Sequence, residues 1–309
     1  MSQQTSSWGI DEPILLPGER GTFDDVAVKD PSIVFYEEKW HLFYTAVGQG
    51  HATTGYVSAG ALADLQAAKR FQLTQLHGSR SPYSCAPQVF YFGPQETWYL
   101  ILQTLDSNYQ PAYSTTSTIH KPESWSRPAT LVRKDEEAKW IDFWIICDDT
   151  AAYFFYTRSH REVLVMTTSI ENFPQGFGAA RRVLSGVHEA VHVHRAEGCD
   201  EYHMIYELNR EGLRSFGLAV AKHLLGPWNK VTDEYATGDQ LRSDNNRAKW
   251  TEEVSHGEVI RSGYDQRLEY DPEKTEILIQ GLPGSQHQGP YSSLPWRLGV
   301  IKQRTQKHG

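Results

Sequence analysis

The sequence predicts an all-β protein, a five-bladed β-propeller that forms a single domain over residues 1–309. Short runs rich in Val, Ile, Phe, Tyr and Trp alternate with polar turns along the chain, whereas long amphipathic segments with a helical period are nearly absent. Five pairs of such runs recur at intervals of 47 to 67 residues, and repeats of this size with about four strands are typical of propeller blades. No linker-like composition interrupts the chain, which favours one domain.

Each blade is predicted from a hairpin whose two strands flank a short polar turn. In the second hairpin, Gly93 and Pro94 supply the turn between two aromatic-rich strands. The segment Leu294–Ile301 is expected to be a last strand that closes the ring beside N-terminal residues. In chain order the hairpins pair Ser32–Tyr36 with Trp40–Tyr44, Gln88–Phe92 with Trp98–Leu102, Phe143–Cys147 with Tyr153–Tyr156, Ala190–His194 with Tyr202–Tyr206, and Glu258–Ile260 with a strand resuming at Leu268.

Charge and composition exclude several classes of partner. There are 30 Lys and Arg residues against 38 Asp and Glu, so a net charge of −8 offers no basic surface for nucleic acid or an anionic membrane. No stretch approaches the roughly 20 apolar residues of a membrane-spanning helix. The N-terminus as written lacks the basic and apolar regions of a signal peptide, and no location is assigned. We expect a monomer without nucleic-acid or membrane partners.

Cysteine spacing and short motifs also bear on cofactors. Cys85, Cys147 and Cys199 allow at most one disulfide, and none lies in a C-x-x-C pair that would suggest zinc or redox chemistry. Phosphate-binding glycine loops and a G-x-S-x-G nucleophile elbow are missing from the sequence. No organic cofactor is therefore expected.

The segment His188–His192 reads H-E-x-x-H, which on a helix would place two histidines on one face to bind zinc. The neighbouring Val187, Val191 and Val193 are β-branched and predict a strand instead. In a strand the two histidines lie about 13 Å apart, too far to share one zinc ion. We therefore reject a metalloprotease.

Acidic residues recur at one position of the repeat, the start of each inner strand. Aligning the first strands places five residues in equivalent positions, Asp30, Ala86, Asp142, Glu189 and His256. Because the inner strands surround one axis, we expect these side chains to converge at one mouth of the channel. Paired carboxylates at a pocket centre perform glycoside hydrolysis, one as a protonated acid while the other activates water or attacks directly. The alternative is that each acid caps a turn or forms an ion pair at a strand end.

Longer motifs surround these positions. The most specific one runs from Ser255 to Gln266, and the others are Lys29–Ser32, Ala86–Phe92, Asp142–Asp149, Asn172–Gly178 and Glu189–Ala190. With these motifs, most of the chain resembles the α-L-arabinofuranosidases of glycoside hydrolase family 62, which are related in fold to family 43. The resemblance implies an inverting α-L-arabinofuranosidase that releases arabinofuranosyl side chains from arabinoxylan or arabinan-type polysaccharide.

The resemblance also implies a role for each position. Asp30 would be the general base, Glu189 the general acid, and Asp142 the residue that orients the acid and raises its pKa by like-charge repulsion. Inversion requires the two working carboxylates to stand about 6.5–9.5 Å apart, which leaves room for the attacking water. His256 would face a Ca²⁺ ion in the propeller channel. The residues expected to contact arabinose are Lys29, Gln88, Arg261 and Tyr291.

Other interpretations stay open at this point. A related pentosidase could use the same scaffold, and a non-catalytic glycan-binding propeller could keep the pocket without turnover. The presence of all three acids disfavours the second of these. For His256, the alternative to a metal contact is a buried histidine satisfied by hydrogen bonds to neighbouring blades.

Overall fold

Five small sheets arranged in a ring confirm the predicted five-bladed β-propeller. The computed structural model describes residues 7–78, 81–105, 110–133, 138–243 and 248–304. Its strands in chain order are β1 Ser7–Ile10, β2 Ala27–Tyr36, β3 Lys39–Gly48, β4 His51–Ala59, β5 Arg70–Gln72, β6 Ser84–Phe92, β7 Thr97–Thr104, β8 Gln110–Thr116, β9 Ala129–Thr130, β10 Trp140–Cys147, β11 Ala151–Arg158, β12 Glu162–Ser169, β13 Arg181–Ser185, β14 Glu189–Ala196, β15 Glu201–Arg210, β16 Leu213–Ala221, β17 Asn229–Ala236, β18 Leu241–Ser243, β19 Ser255–Val259, β20 Glu269–Tyr270, β21 Glu276–Gly281 and β22 Arg297–Arg304.

Helical structure within the described residues consists of short 3₁₀ helices of three to six residues in the loops. None of these helices is long and apolar enough to cross a membrane. They span Leu62–Ala67, Thr74–Leu76, Gly93–Gln95, Pro122–Ser124, Gly238–Gln240, Pro272–Lys274, Gly284–Gln286 and Tyr291–Ser293.

The blades follow one another along the chain, and the two ends of the chain meet in the fifth. Blades 1 to 4 are built on β2–β5, β6–β9, β10–β13 and β14–β17, with the inner strand first in each. Blade 5 has the order β19, β21, β22, β1, β18, so the N-terminal strand lies beside the C-terminal strand. Ile10 pairs with Ile301 in this antiparallel contact, which confirms the predicted closure of the ring.

The fifth predicted hairpin is wrong in its second strand. The inner strand β19 pairs with β21 rather than with a strand resuming at Leu268. The intervening chain instead gives its carbonyl groups to the ends of other inner strands, at Tyr91, Cys147 and Arg195, over distances of 2.9 to 3.2 Å. Its short strand β20 pairs in parallel with β14. This segment therefore runs across three other blades at the end of the ring opposite the starts of the inner strands.

Every inner strand begins with a β-bulge, and this feature positions the candidate site. The register against the second strand shifts immediately after Lys29, Cys85, Ile141, Glu189 and Ser255. The next residue in each case has a positive φ: 48° at Asp30, 49° at Ala86, 57° at Asp142, 51° at Ala190 and 29° at His256. The equivalent position in blade 4 is therefore Ala190. Our alignment placed Glu189 there, one residue too early, and Glu189 is instead equivalent to Lys29.

Polar side chains on the inner strands join neighbouring blades. The amide of Gln88 exchanges two hydrogen bonds of 2.7 Å with the backbone of Ile145 in the next blade. One blade further, the indole nitrogen of Trp144 donates to the carbonyl of Val193 over 2.9 Å. Such contacts satisfy buried polar groups and fix the relative positions of the strands that carry the candidate site.

Candidate active site

Two carboxylates and one imidazole meet where three inner strands begin. The Nδ1 atom of His256 lies 3.4 Å from Oδ1 of Asp30 and 3.8 Å from Oδ1 of Asp142. All three residues occupy the left-handed position of a bulge, each in a different blade. The structure thus brings together three of the residues that the repeat alignment selected.

Lys29 lies against the Asp30 carboxylate. Its Nζ is 3.2 Å from Oδ2 of Asp30, and both side chains are largely buried. Burial opposes ionisation of Asp30, but the charges of Lys29 and His256 outweigh it and lower the pKa of Asp30. The backbone N–H of Asp30 also donates to Oε1 of Gln280 over 2.7 Å, which fixes the strand at this point. Asp30 is therefore ionised at neutral pH.

Asp142 is in a different electrostatic setting. Burial raises its pKa to about 6; the charges of Glu189 and Asp30 act in the same direction, and His256 opposes them. Its Oδ2 accepts a hydrogen bond of 2.8 Å from the backbone N–H of Ala190, the residue directly after Glu189. Asp142 consequently holds the backbone that carries Glu189.

Cations and imidazoles surround Glu189. Arg214 Nη1 lies 2.7 Å from its Oε1, while His160 Nδ1 and His188 Nε2 lie 3.2 and 3.8 Å from its Oε2. Burial opposes ionisation, yet the hydrogen bond from His160 and the charge of Arg214 lower the pKa of Glu189. We expected Asp142 to raise this pKa. His160 and Arg214 outweigh this repulsion at Glu189, and the raised pKa is that of Asp142, to which the charge of Glu189 contributes.

Glu207 is a member of the cluster that the sequence analysis missed. It lies directly opposite Glu189 on β15, is fully buried, and contacts the same Nη1 atom of Arg214. Its other oxygen accepts from Ser255 Oγ at 2.6 Å and from the backbone N–H of His256 at 2.8 Å. Burial raises its pKa to about 7. The available signal was a glutamate between Tyr206 and Leu208, directly after the predicted strand Tyr202–Tyr206.

Tyr291 connects the two sides of the cluster. Its ring lies 4.9 Å from Nζ of Lys29 and 5.5 Å from the guanidinium carbon of Arg214. Its hydroxyl is 3.4 Å from the amide nitrogen of Gln280, and 40% of the residue is exposed. Tyr291 comes from the loop between β21 and β22 and presents an aromatic surface to solvent beside Lys29 and Arg214, the cations that contact Asp30 and Glu189.

Two residues expected to contact the sugar lie elsewhere. Both Gln88 and Arg261 are buried, and Gln88 uses its whole amide on the backbone of the next blade. The Arg261 guanidinium lies 2.7 Å from Oε1 of Glu258 and donates to the carbonyls of Ile33 and Val89. The structure does not bring either side chain to the carboxylate cluster: the contacts of Gln88 join blades 2 and 3, and those of Arg261 join blades 5, 1 and 2.

The second histidine of the H-E-x-x-H segment is separated from the first. His192 is buried, with its ring 4.4 Å from Trp144 and 5.3 Å from His256, whereas His188 stacks on His160 beside Glu189. Glu189–Ala196 is a strand, as the β-branched residues predicted. This agrees with rejecting the metalloprotease.

We expect Glu207→Gln to change how stability depends on pH. A carboxyl whose pKa rises on folding, here from 4.5 to about 7, makes the free energy of unfolding fall as pH rises between these values, because the unfolded chain ionises first. The free energy of unfolding of the wild type should therefore fall relative to that of Glu207→Gln across this pH range. At higher pH the difference between the two proteins should stay constant. Urea denaturation followed by tryptophan fluorescence at a series of pH values measures the difference.

Glu276→Gln is the matched control for this experiment. Glu276 forms a partly exposed ion pair of 3.0 Å with Lys302. Its substitution should therefore not change how the free energy of unfolding depends on pH in this range. A difference between the wild type and Glu207→Gln that stays constant with pH would contradict the raised pKa.

Known proteins match this chain over nearly its whole length. The profile of glycosyl hydrolase family 62 covers residues 21–302. Alpha-L-arabinofuranosidase C of Cellvibrio japonicus (strain Ueda107) is 33% identical over 309 residues, covering 96% of this chain and 46% of the relative. The chain thus spans about half the length of that curated relative.

Solved structures agree with the family assignment. The catalytic domain of the Coprinopsis cinerea GH62 alpha-L-arabinofuranosidase has a TM-score of 0.89 at 31% identity, covering 97% of both chains. A GH62 hydrolase in complex with xylotriose has a TM-score of 0.87 at 27% identity, covering 96% of this chain and 97% of the other. A thermostable family-43 glycoside hydrolase, at 17% identity and a TM-score of 0.64 over 96% and 94%, shares the fold. The chain belongs to glycosyl hydrolase family 62.

Proposed function

We propose that this family 62 propeller is an inverting α-L-arabinofuranosidase that removes arabinofuranosyl side chains from arabinoxylan or arabinan-type polysaccharide. The observation that carries the proposal is the placement of Asp30 and Glu189 on different blades at one mouth, each beside its own cation. Relatives of this chain include arabinofuranosidases. A related pentosidase is the alternative on the same scaffold.

Asp30 is proposed as the general base. It stays ionised because Lys29 and His256 face its two oxygens, so it can accept a proton from a water molecule. In an inverting reaction this water attacks the anomeric carbon from the face opposite the leaving oxygen. Lys29 is also proposed to contact the sugar, since its ammonium can donate to a sugar hydroxyl while it holds Asp30.

Glu189 is proposed as the general acid, which requires it to gain a proton before catalysis. In the free protein its pKa is low. A bound sugar displaces water from the carboxyl, which raises the pKa of the group by desolvation. The mouth of the site is open to solvent, which supplies this proton to Oε2 of Glu189, while Nδ1 of His160, 3.2 Å away, holds that oxygen in place. Glu189 then protonates the leaving glycosidic oxygen.

Asp142 and Tyr291 are proposed to act on position rather than on the reacting bond. Asp142 holds the Ala190 N–H and thereby the orientation of Glu189. The exposed ring of Tyr291 offers an apolar surface for one face of the arabinose, next to Lys29 and Arg214. A relative was solved with xylotriose, which supports a xylan backbone as the polymer that carries the arabinose. We propose that the propeller acts on it as a monomer.

We further propose that a calcium ion is held in the channel next to His256. On the inner strand β14, the ring of His192 lies 5.3 Å from that of His256, and His194 leaves the same face of the strand two residues further on. Burial lowers the pKa of both, so they are neutral and do not repel a cation. Nδ1 of His192 and both ring nitrogens of His194 are buried without a hydrogen-bond partner in the described structure. Calcium prefers about six to eight oxygen ligands, so water would supply most of them. The ion would add positive charge close to Asp30 and Asp142.

Chelation tests the calcium proposal. EDTA should lower the Tm of the protein, and excess Ca²⁺ but not Na⁺ should restore it, because an ion bound to the folded state stabilises that state. A Tm that does not respond to EDTA would remove calcium from this account.

The activity is tested with an aryl α-L-arabinofuranoside, arabinoxylan and linear arabinan, followed by proton NMR. We expect free arabinose from the aryl glycoside and from at least one polymer, with the β-anomer formed first because inversion reverses the anomeric configuration. First formation of the α-anomer would contradict inversion. Binding without release of sugar would favour the glycan-binding alternative, and hydrolysis of another pentoside alone would favour the related pentosidase.

Asp30→Asn and Glu189→Gln should each lower kcat on arabinoxylan by at least about 10²–10⁴-fold, since each removes a proton-transfer group. On an aryl substrate with a good leaving group, Glu189→Gln should lose less activity, because that leaving group needs little protonation. Asp30→Asn should lose as much on both substrates. Glu276→Gln is the control and should be fully active. Near wild-type activity of Asp30→Asn with a normal urea midpoint would overturn its role.

A further inference from the structure

We propose that Cys199, Glu201 and His203 form a zinc-binding site in blade 4, away from the active site. They lie in and after the turn that joins β14 to β15, whereas Glu189 begins β14. Seven residues of extended strand separate Glu189 from the end of β14 at Ala196, a distance of roughly 23 Å. The site does not depend on the proposed function, and the experiment below reads metal binding rather than turnover.

The three side chains converge on one point. One ligand atom from each residue, a thiol sulfur, a carboxylate oxygen and an imidazole nitrogen, lies within 4.8 Å of the other two. Nε2 of His203 is already 3.9 Å from Oε2 of Glu201. Ligands of a tetrahedral zinc ion stand about 3.3–3.7 Å from one another, given bond lengths of about 2.0–2.3 Å. Rotations of the exposed Cys199 and the partly exposed Glu201 side chains would close the remaining difference.

Local strand geometry explains the convergence. Glu201 and His203 are two residues apart on β15, so their side chains leave the same face of the strand. Cys199 lies in the turn just before that strand, with its sulfur 3.7 Å from the carbonyl oxygen of Ala196. The hairpin therefore folds a C-x-E-x-H segment so that its three ligand atoms face one point.

The hydroxyl of Tyr270 orients the ring of His203. It lies 2.5 Å from Nδ1 of His203, and Tyr270 belongs to β20 and is buried. In the tautomer whose Nδ1–H donates to that oxygen, Nε2 carries the lone pair and faces Glu201. Metal-bound histidines commonly use their second nitrogen in this way, and the contact orients the ring.

The ligand types select zinc or a similar transition ion over calcium or magnesium. Thiolate and imidazole suit zinc, whereas calcium and magnesium prefer oxygen ligands. Three protein ligands leave the fourth position to water, and Cys199 is exposed, so the ion has access. The other free cysteines, Cys85 and Cys147, are buried. Zinc bound here would tie the hairpin turn to the Tyr270 segment.

A second group, His160, His188 and Glu189, also brings three ligand atoms together. It belongs to the candidate active site and already contains positive charge. Arg214 occupies one oxygen of Glu189, and Nζ of Lys139 lies 2.8 Å from Nε2 of His160. This group contains no sulfur, so a metal ion bound to it gives no thiolate-to-metal absorption band. Such a band therefore distinguishes binding at Cys199 from binding here.

The test is titration of reduced, chelator-treated protein with Co²⁺, recorded by near-ultraviolet absorption. We expect a thiolate-to-cobalt charge-transfer band that saturates at one ion per chain and is abolished by Zn²⁺ displacement. Cys199→Ser should lose the band, and Glu201→Gln or His203→Gln should weaken binding at least about tenfold. Tyr270→Phe, which removes only the hydroxyl behind His203, should weaken binding by about 10–100-fold.

His160→Gln is the matched control and should keep the band with unchanged affinity. Circular dichroism of each variant checks that the propeller has folded, and Glu201→Gln, an exposed change, keeps the test valid if His203→Gln is unstable. Absence of the band in the wild type, its persistence in Cys199→Ser, or its loss in His160→Gln would overturn the proposal. None of these outcomes depends on arabinofuranosidase activity.

Discussion

The candidate site depends on the β-bulge at the start of every inner strand. In a regular strand, neighbouring side chains leave opposite faces, so Lys29 and Asp30 could not reach one another. The left-handed residue after the bulge turns the chain, and Lys29 then lies beside the carboxylate of Asp30. A left-handed residue other than glycine costs about 1–2 kcal/mol, and such strain persists where the surrounding structure holds it. Here the hydrogen bonds between blades do so.

Within the described residues, the candidate site holds four carboxyl groups but only two strong cations, Lys29 and Arg214, and this imbalance decides which carboxyls are ionised. Asp30 and Glu189 each lie beside a strong cation and have lowered pKa values. Asp142 and Glu207 are buried next to them, and burial raises the pKa of these two to about 6 and about 7. Each ionised working carboxylate thus has a buried neighbour that holds a proton at mildly acidic pH. The Glu207 variant probes this division directly, because removal of that carboxyl leaves Glu189 alone with Arg214.

Much of this could be predicted from the sequence, because hairpin spacing and repeat phase are local properties. Asp30, Asp142 and His256 share a phase, and the structure brings them together. The one-residue error at Ala190 arose because a bulge is decided by pairing with the next strand, which periodicity does not reveal. The contacts of Glu207 with Ser255 and His256, like the buried contacts of Gln88 and Arg261, depend on which blades meet, and one sequence carries no direct signal for that.

The low pKa of Glu189 in the free protein is compatible with its proposed role as an acid, because the surroundings of this carboxyl differ between the free site and the occupied site. Without sugar, solvent and Arg214 stabilise the carboxylate. A sugar covering the mouth removes the solvent and leaves Arg214 divided between two carboxyls, Glu189 and Glu207. A single guanidinium stabilises two buried negative charges poorly, so occupancy of the site favours a proton on one of them. Under the proposed roles, Glu189 rather than Glu207 transfers this proton to the leaving oxygen, because the Glu189 side chain is partly exposed at the mouth and that of Glu207 is fully buried.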